Sequence, residues 1–306
     1  MQRRTFLSGL AITLCSACIS RHPELTVGSK NFTEQLVLGE MLKQYLEGVC
    51  RMPVQGRYYL AGTYLCQQAL LAGRLDTYVE YTGTALAAIL KEHFSGDSAS
   101  VYRQVKQEYK RRFNLDVMPP LGFNNSFAIV MRGEEAMRLG IGTLSQLARF
   151  APQRRMGVGY EFLERQDGYQ GLVQRYGLHF AAAPRVMDLG LLYRALQNRS
   201  VDVVAGNNTD GLITALGLAV LEDDKHYFPP YDAVPIVRPS LLQRCPQALP
   251  AFHALAGRIT VEDMRAMNYA VDGQKKDARE VAREFLLRHN LLASNSLKEV
   301  LIRSGL

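Results

Sequence analysis

A turn between a predicted strand and a predicted helix near the N-terminus carries residues that suit anion binding. The β-prone residues 25–27 are followed by Gly-Ser-Lys-Asn-Phe-Thr-Glu-Gln, and apolar residues at helical spacing come next. Asn31, with Glu34 three residues later, is typical of a capping box. Because the first N–H groups of a helix lack internal partners, its N-terminus attracts anions, and Lys30 would add a positive charge there. From these residues alone, an ordinary solvated lysine before a helix is the alternative.

Two further turns occupy the same kind of position between a strand and a helix. Tyr81 ends the predicted strand 77–81, and Thr84 leads into a predicted helix over 85–91. The turn 206–211, which contains Asn207, follows the predicted strand 201–205. In open α/β sheets, ligands bind beyond the carboxyl ends of the strands, so these turns are candidate binding loops.

Sequence signatures of several enzyme classes are absent. There is no G-x-x-x-x-G-K-[ST] loop for nucleotide phosphates and no G-x-S-x-G turn for a nucleophilic serine. Gly157 and Gly159 lack the third glycine of a dinucleotide-binding loop. No two of the 6 histidines are four residues apart, so neither a metal nor another cofactor is expected. Binding is therefore the default expectation.

The composition indicates a globular chain with room for two cores. Of the 306 residues, 47% are hydrophobic and 21% charged, which argues against disorder. The net charge of +7 is mild, and the basic clusters at 110–112 and 154–155 are isolated. Because neither cluster is interleaved with aromatic residues, we expect no nucleic-acid partner.

The first residues have the pattern of a bacterial export signal. Arg3 and Arg4 precede an apolar stretch over 5–19 that is too short to span a membrane. Small residues precede Cys18, so we expect residues 1–18 to carry a lipoprotein signal, with Cys18 as the lipidated first mature residue. The alternative is plain secretion, in which Cys15 and Cys18 are small apolar residues of a cleaved signal.

Three cysteines remain beyond the signal: Cys50, Cys66 and Cys245. Their odd number leaves at least one thiol unpaired within a monomer. A Cys50–Cys66 disulfide is compatible with an oxidising compartment. Burial of these cysteines as small apolar residues is the alternative.

The pattern of elements predicts two α/β lobes. Strands and helices alternate from 25 to about 115, which favours a mostly parallel sheet. The segment 117–131 leads into a second alternating region, and the proline-containing segment 227–238 returns the chain. We therefore expect lobe 1 at 24–122 and 226–306 and lobe 2 at 123–225. The end of lobe 1 is predicted to be helical over 241–257, 261–271, 278–289 and 297–302.

Six segments together resemble the substrate-binding proteins of ABC transporters for glycine betaine, choline, carnitine and related osmoprotectants. They lie at 27–35, 78–84, 124–128, 161–168, 208–211 and 221–231. Their number and order, over nearly the whole chain after the signal, make the similarity specific. The resemblance implies a type II periplasmic-binding-protein fold, in which two α/β lobes joined by two crossover segments close around a ligand.

The resemblance also implies a ligand site for a quaternary amine. Carried over by motif, the residues that would hold a carboxylate are Lys30, Thr84 and Arg165, and those that would face the cation are Tyr81, Phe127 and Tyr231. A methylated ammonium lacks strong hydrogen-bond donors, so ring faces attract it instead. A guanidinium offers a carboxylate a planar pair of donors.

Two positions depart from the family pattern. Asn207 lies where relatives usually have a tyrosine of the aromatic box, and Phe127 stands where tyrosine is common. The box would then have three aromatic walls and an amide on the fourth side. This composition favours a larger or more polar ligand than glycine betaine, one that forms a hydrogen bond with Asn207.

Together these features predict an exported, lipid-anchored solute-binding protein in the periplasm or another extracytoplasmic compartment. We expect it to be a monomer that captures a zwitterionic or cationic quaternary amine and delivers it to an ABC permease in the inner membrane. One alternative is a ligand-sensing domain for a membrane partner. A less favoured alternative is an enzyme on the same two-lobed scaffold.

Overall fold

The computed structural model of the protein describes residues 24–92 and 97–292. The predicted signal with Cys18 and the predicted helix over 297–302 lie outside the described residues. Within those two ranges, no helix combines the length and the apolar character needed to cross a membrane.

Two five-stranded sheets form the centres of two lobes in the described part of the chain. The strands are β1 (Leu25–Gly28), β2 (Val54–Arg57), β3 (Thr77–Tyr81), β4 (Asp116–Val117), β5 (Phe127–Arg132), β6 (Met156–Val158), β7 (Arg185–Val186), β8 (Val203–Asn207), β9 (Leu218–Leu221) and β10 (Ala233–Val237). Lobe 1 has the order β2-β1-β3-β10-β4, and lobe 2 has the order β7-β6-β8-β5-β9.

Both sheets are mixed, but in each of them a single strand is reversed and the other four run in one direction, which agrees with the predicted mostly parallel sheet. In lobe 1, β1 is parallel to β2 and β3, whereas β10 is antiparallel to β3 and β4. In lobe 2, β5 is antiparallel to β8 and β9 in the same way. β5 and β10 are the first strands after the chain crosses between lobes, so each enters its sheet from the cleft and runs against its neighbours.

Helices cover both faces of each sheet. They are α1 (Thr33–Cys50), α2 (Thr63–Leu71), α3 (Thr82–Thr84), α4 (Ser98–Phe113), α5 (Gly133–Leu139), α6 (Leu144–Leu147), α7 (Tyr160–Glu164), α8 (Tyr169–Tyr176), α9 (Leu192–Gln197), α10 (Leu212–Ala215), α11 (Pro239–Arg244), α12 (Ala248–Leu255), α13 (Val261–Asp272) and α14 (Ala278–Arg288). A π-helical segment, Ala85–Leu90, continues α3.

A separate hydrophobic core lies on each face of each sheet. Successive residues of a strand point to opposite faces, so Val79 packs in the core formed with α1 and α12–α14, and Tyr78 packs in the core on the other side. Lobe 2 repeats this arrangement, with Val203 and Val204 in different cores. Packing on both faces fixes the strands, and therefore fixes the strand ends at the cleft.

Two segments, 118–126 and 222–232, connect the sheets and run side by side. Asn124 and Asp232 form an isolated antiparallel bridge between them, and the Asn125 N–H donates to the Tyr231 carbonyl oxygen at 2.9 Å. The two crossover segments therefore contact each other where they connect the lobes.

The predicted capping box at the start of α1 does not form. The N-cap residue is Phe32, whose side chain makes no capping hydrogen bond. Glu34 instead points inward and is 2% exposed. The spacing of Asn31 and Glu34 fits a capping box, but the buried polar partners of Glu34 hold its carboxylate on the inner side of the helix.

A disulfide joins Cys50 to Cys245, so the Cys50–Cys66 pairing is wrong. Cys50 ends α1 and Cys245 follows α11, and their Cα atoms are 5.6 Å apart. Cys66 is a buried free thiol in α2, and burial raises its pKa to about 12. The burial expected as the alternative therefore applies to Cys66.

Candidate functional site

A cavity of 400 Å³ lies between the two lobes at the ends of their strands. All of the residues predicted for the ligand site line it: Lys30, Tyr81, Thr84, Phe127, Arg165, Asn207 and Tyr231. Five of them lie at the ends of β1, β3, β5 and β8 or in the turns beside those ends: Lys30, Tyr81, Thr84, Phe127 and Asn207. Arg165 directly follows α7, and the second crossing supplies Tyr231. The structure therefore brings the predicted residues together, although it does not assign their roles.

Lys30 lies in the cavity wall with its ammonium group against a carboxylate. Its Nζ contacts Oε1 of Glu80, and the two side chains are 3% and 0% exposed. Glu80 also accepts hydrogen bonds from the Tyr81 N–H at 2.7 Å and from the Tyr78 hydroxyl at 3.2 Å. Lys30 is therefore not a solvated lysine, and its charge already has a partner inside the protein.

Arg165 directly follows α7 and forms a buried pair with Asp167. Its Nε donates to Oδ1 of Asp167 at 2.8 Å, and its Nη2 contacts Oδ2. Burial opposes the charge on the guanidinium, but the charge and hydrogen bonds of Asp167 leave the pKa of Arg165 raised. Asp167 therefore keeps the guanidinium charged and fixes its orientation toward the cavity.

Tyr231 is attached to the same carboxylate. Its hydroxyl donates to Oδ2 of Asp167 at 2.6 Å. Burial, and then the charge of Asp167, raise the pKa of Tyr231 well above its ordinary value, so the phenol remains a donor. This hydrogen bond connects Tyr231, on the second crossover segment, to the loop of lobe 2 that carries Arg165.

Aromatic rings form a cluster at one side of the cavity. The Phe127 ring lies 4.8 Å from that of Phe162 and 5.7 Å from those of Phe228 and Tyr231, measured between centroids. The Arg165 Cζ lies 4.9 Å from the Phe127 centroid and 5.7 Å from the Tyr231 centroid. A cation of the protein therefore already lies over two of the rings predicted to face the ligand.

A second pair of rings, Phe32 and Tyr81, stacks in lobe 1 with centroids 6.4 Å apart. The Lys30 ammonium lies 4.9 Å from the Tyr81 centroid. Lys30 and Arg165, which are predicted to hold the ligand carboxylate, thus each lie beside a ring that is predicted to face the ligand cation. A zwitterion whose two charges are close together would meet both kinds of group at either side of the cavity.

Behind the cavity, the buried carboxylate of Glu34 holds Tyr81 in place. Its Oε1 accepts hydrogen bonds from the Tyr81 hydroxyl at 2.6 Å and from the Asn125 amide at 2.7 Å. The Asn268 amide donates to Oε2 at 3.2 Å and to the Thr209 carbonyl oxygen at 2.9 Å. Burial raises the pKa of Glu34. This network connects a ring of lobe 1 to the turn 207–211 of lobe 2.

Asn207 ends β8 directly opposite Phe127 in the antiparallel ladder. Its N–H donates to Oδ2 of Asp210 at 2.9 Å, and the Tyr193 hydroxyl donates to the same oxygen at 2.5 Å. Burial raises the pKa of Asp210 to about 6, and the charge of Asp272 adds to this shift. The two positions that depart from the family pattern are thus cross-strand neighbours in one wall.

Several lining residues were not predicted. They are Asn31, Phe32, Asn125, Gly159, Tyr160, Glu161, Phe162, Val186, Met187, Asp188, Leu189 and Ala205. Phe32, Asn125 and Glu161 lie inside the segments that carry the resemblance, so a signal for them existed. Val186 ends the two-residue edge strand β7 and residues 187–189 follow it. These residues belong to no motif, so no sequence signal identified them.

The arrangement provides rings, paired charges and hydroxyl groups around one enclosed space. Thr84 is 2% exposed, and its hydroxyl forms no hydrogen bond with another described residue. No cluster of three or more His, Cys, Asp or Glu side chains suited to a metal occurs within residues 24–92 and 97–292. These groups can bind a small organic ion through ring faces, charge and hydrogen bonds together.

Comparison with known proteins gives one family over most of the chain. Residues 23–288 match the family described as the substrate binding domain of ABC-type glycine betaine transport system. A solved structure, described as a glycine betaine/carnitine/choline ABC transporter, is 31% identical with a TM-score of 0.72. That match covers 87% of this chain and 99% of the other.

Two curated relatives have different ligands in their names. The glycine-betaine-binding protein of Pseudomonas aeruginosa is 35% identical over 94% of this chain and 96% of its own length. The ergothioneine transport permease/ergothioneine binding protein EgtU of Helicobacter pylori is 34% identical over 87% of this chain. The match covers 48% of the Helicobacter protein, so this chain spans about half the length of that relative.

Proposed function

Because the chain belongs to the family of substrate-binding domains of ABC-type glycine betaine transport systems, we propose that it captures a quaternary amine and delivers it to an ABC permease. The observation that carries the proposal is the interlobe cavity, whose wall combines aromatic rings with two buried cations. Ring faces attract an ammonium group that cannot donate hydrogen bonds, at about 0.5–2 kcal/mol per contact.

The ammonium group of the ligand lies against Tyr81, Phe127 and Tyr231 in this proposal. Its carboxylate or other polar end interacts with Lys30, Thr84 and Arg165. Lys30 and Arg165 are each neutralised by a carboxylate of the protein. The cavity therefore binds a zwitterion or a cation without leaving a large unpaired charge when it is empty.

The size of the cavity and Asn207 favour a ligand that is larger than glycine betaine. A volume of 400 Å³ is within the range of about 300–1,000 Å³ that small-molecule sites occupy. Asn207 offers an amide where a further ring would otherwise narrow the site. Carnitine and ergothioneine extend beyond a trimethylammonium group. The binding screen therefore includes them together with glycine betaine and choline.

The test is a thermal-shift screen of the purified mature chain, followed by calorimetric titration of each ligand that raises the melting temperature. A ligand that binds only the native state stabilises it by mass action, by about 2.7 kcal/mol at a concentration of 100 times Kd. Each trimethylammonium ligand is paired with its dimethylamine analogue, which has an N–H donor. We expect the trimethylated member of each pair to bind more tightly.

Two variants distinguish an effect of the cavity on ligand binding from an effect of ring removal on the stability of the protein. Phe127→Leu removes a lining ring and should weaken trimethylammonium binding by about twofold to thirtyfold, the range that one cation–π contact gives. Tyr102→Leu removes a half-buried ring on α4, outside the cavity, and should leave Kd unchanged. Absence of a thermal shift with every quaternary amine would contradict the proposed function.

The proposal extends to location and assembly. We infer that the chain is exported by the signal at 1–18, is anchored through a lipid on Cys18 and acts as a monomer outside the cytoplasm. The apolar stretch 5–19 and the small residues before Cys18 support this inference. Cys18→Ser should move the protein from the membrane fraction to the soluble extract, and an unchanged distribution would contradict lipid anchoring.

A further inference from the structure

At the mouth of the cleft, a carboxylate of lobe 2 caps a helix of lobe 1. Helix α2 begins at Thr63, and neither its N-cap residue, Gly62, nor an acidic residue in its first turn satisfies its first N–H groups. Glu161, in the first turn of α7, accepts a hydrogen bond from one of these N–H groups across the cleft, from the opposite lobe. Its Oε1 accepts from the Thr63 N–H at 2.6 Å, and its Oε2 accepts from the Thr63 hydroxyl at 3.4 Å.

The residue before Thr63 leaves space for this contact. A Cβ atom on Gly62 would lie 2.3 Å from Oε1 of Glu161 and 2.6 Å from the hydroxyl oxygen of Tyr160. The φ angle of Gly62 is 177°, which is extended backbone that any residue adopts. Glycine is therefore not required here by backbone conformation, and the close approach of lobe 2 accounts for the missing side chain.

We propose that Glu161 is a positioning residue that stabilises the closed cleft by capping α2 across the two lobes. A carboxylate at a helix N-terminus is favoured both by hydrogen bonding and by the helix dipole. When the lobes separate, this cap is lost and both groups return to water. The contact thus contributes to closure in addition to any contact that the ligand makes.

The role of Glu161 in closure rests on the proposed function only where the experiment needs a ligand. Glu161 also lines the cavity, so loss of affinity alone would not distinguish a cap from a direct ligand contact. The distance between lobes in the empty protein makes that distinction, because a residue that acts only on the ligand leaves it unchanged.

The experiment compares Glu161→Ala, Glu161→Gln and the wild-type protein, with Glu164→Gln as the matched control. Glu164 is an exposed carboxylate in the same helix and forms no hydrogen bond with another described residue. Small-angle X-ray scattering without ligand measures opening as an increase in the radius of gyration. We expect Glu161→Ala to be the most open, Glu161→Gln to be intermediate because its amide oxygen still accepts, and Glu164→Gln to match wild type.

Ligand dissociation provides the second readout. Stopped-flow measurement with the tightest quaternary amine should show a faster off-rate, by about twofold to thirtyfold for Glu161→Ala, which is the effect of losing one helix cap. The on-rate should not fall, because ligand enters the open form and the variant populates that form at least as much as wild type does.

Gly62→Ala tests the same contact from the other lobe. Its methyl group would displace the Glu161 carboxylate, which is the end of a flexible side chain, so the fold should be retained. We expect Gly62→Ala to resemble Glu161→Ala, and the double variant to be no more open than either single variant. Gly142→Ala, at an exposed glycine where a Cβ meets only a side-chain oxygen at 3.6 Å, is the control substitution.

Scattering curves of Glu161→Ala and Gly62→Ala that coincide with wild type would overturn the proposal, even where ligand affinity falls. Fully additive opening in the double variant would also overturn it. If no quaternary amine binds, the proposed function fails, but the scattering comparison still decides whether Glu161 holds the lobes together.

Discussion

At position 207, the cavity wall has an amide side chain in place of a further aromatic ring. Asn207 faces the same cavity as Phe127 and lies opposite it in the ladder. We predict that Asn207→Tyr strengthens binding of a compact trimethylammonium ligand such as glycine betaine. The gain should be about twofold to thirtyfold, because one added ring contact contributes about 0.5–2 kcal/mol. Titration calorimetry measures it.

Asn207→Leu is the matched control, since leucine adds apolar bulk without a ring face. If glycine betaine gains as much affinity from leucine as from tyrosine, the effect is one of volume and not of cation–π attraction. The same tyrosine variant should bind the larger ligands more weakly than wild type, because the ring removes space and the Asn207 amide. An Asn207→Tyr protein that shows no gain for glycine betaine would refute the prediction.

Individual lining residues could be predicted from sequence, but their charge partners could not. The motifs pointed to Lys30 and Arg165, and both line the cavity. The carboxylate of Glu80 neutralises Lys30 from 50 positions along the chain, so this pairing depends on how β1 and β3 align. Asp167 lies two residues from Arg165, but only the fold of that loop decides whether the two side chains meet.

At the scale of elements, regular periodicity predicted helices well and local chemistry decided their ends. Helices α13 (Val261–Asp272) and α14 (Ala278–Arg288) each differ by one residue at one end from the predicted ranges 261–271 and 278–289. The helix predicted over 241–257 is instead interrupted between α11 and α12, because the residue before Pro246 is biased toward extended backbone and Cys245 has φ −138° and ψ 85°. No sequence signal marks the π-helical turns of Ala85–Leu90.

The disulfide between α1 and the end of α11 gives a prediction for these elements. It closes a loop with a sequence separation of 195, and a cross-link over a long loop restricts the unfolded chain strongly. We predict that the variant with both Cys50→Ala and Cys245→Ala loses about 2–5 kcal/mol of unfolding free energy. Urea unfolding under oxidising conditions measures the loss.

A reductant provides the control for this prediction. It should lower the urea midpoint of the wild-type protein toward that of the double variant and should not change the midpoint of the variant. Cys66 is buried and unpaired, so it contributes to neither comparison. Equal midpoints for wild type and variant in the oxidised state would show that the cross-link contributes nothing to stability.

At the scale of the whole molecule, the lobes also meet beside the cavity, where the turn 207–211 of lobe 2 packs on α13 of lobe 1. The Arg265 Nε donates to the Asn208 carbonyl oxygen at 2.9 Å, and the Asn268 amide donates to that of Thr209. The order of motifs predicted two lobes and a cleft, whereas this contact depends on side chains that no motif includes. Two acids, the buried Glu34 and the partly buried Asp210, lie at this junction.

The pKa values of both acids are raised, which makes the stability of the whole molecule depend on pH. Burial raises the pKa of Asp210 from 3.8 to about 6, and burial also raises that of Glu34. The folded state therefore holds these protons more tightly than the unfolded state. Their contribution to stability is fully present below the unfolded pKa of 3.8 for Asp210, and it is lost as the pH rises through about 6.

We predict that the unfolding free energy of wild type, measured relative to Asp210→Asn, rises by about 1–1.5 kcal/mol when the pH falls from about 7.5 to about 5. The amide of Asp210→Asn stays neutral and can still accept from Tyr193 and Asn207, so the difference isolates one titration. Urea unfolding of both proteins across this window measures it. Parallel pH profiles would show that Asp210 is ionised equally in the folded and unfolded chains, whereas a wild-type profile that falls with acid would reverse the sign of the shift.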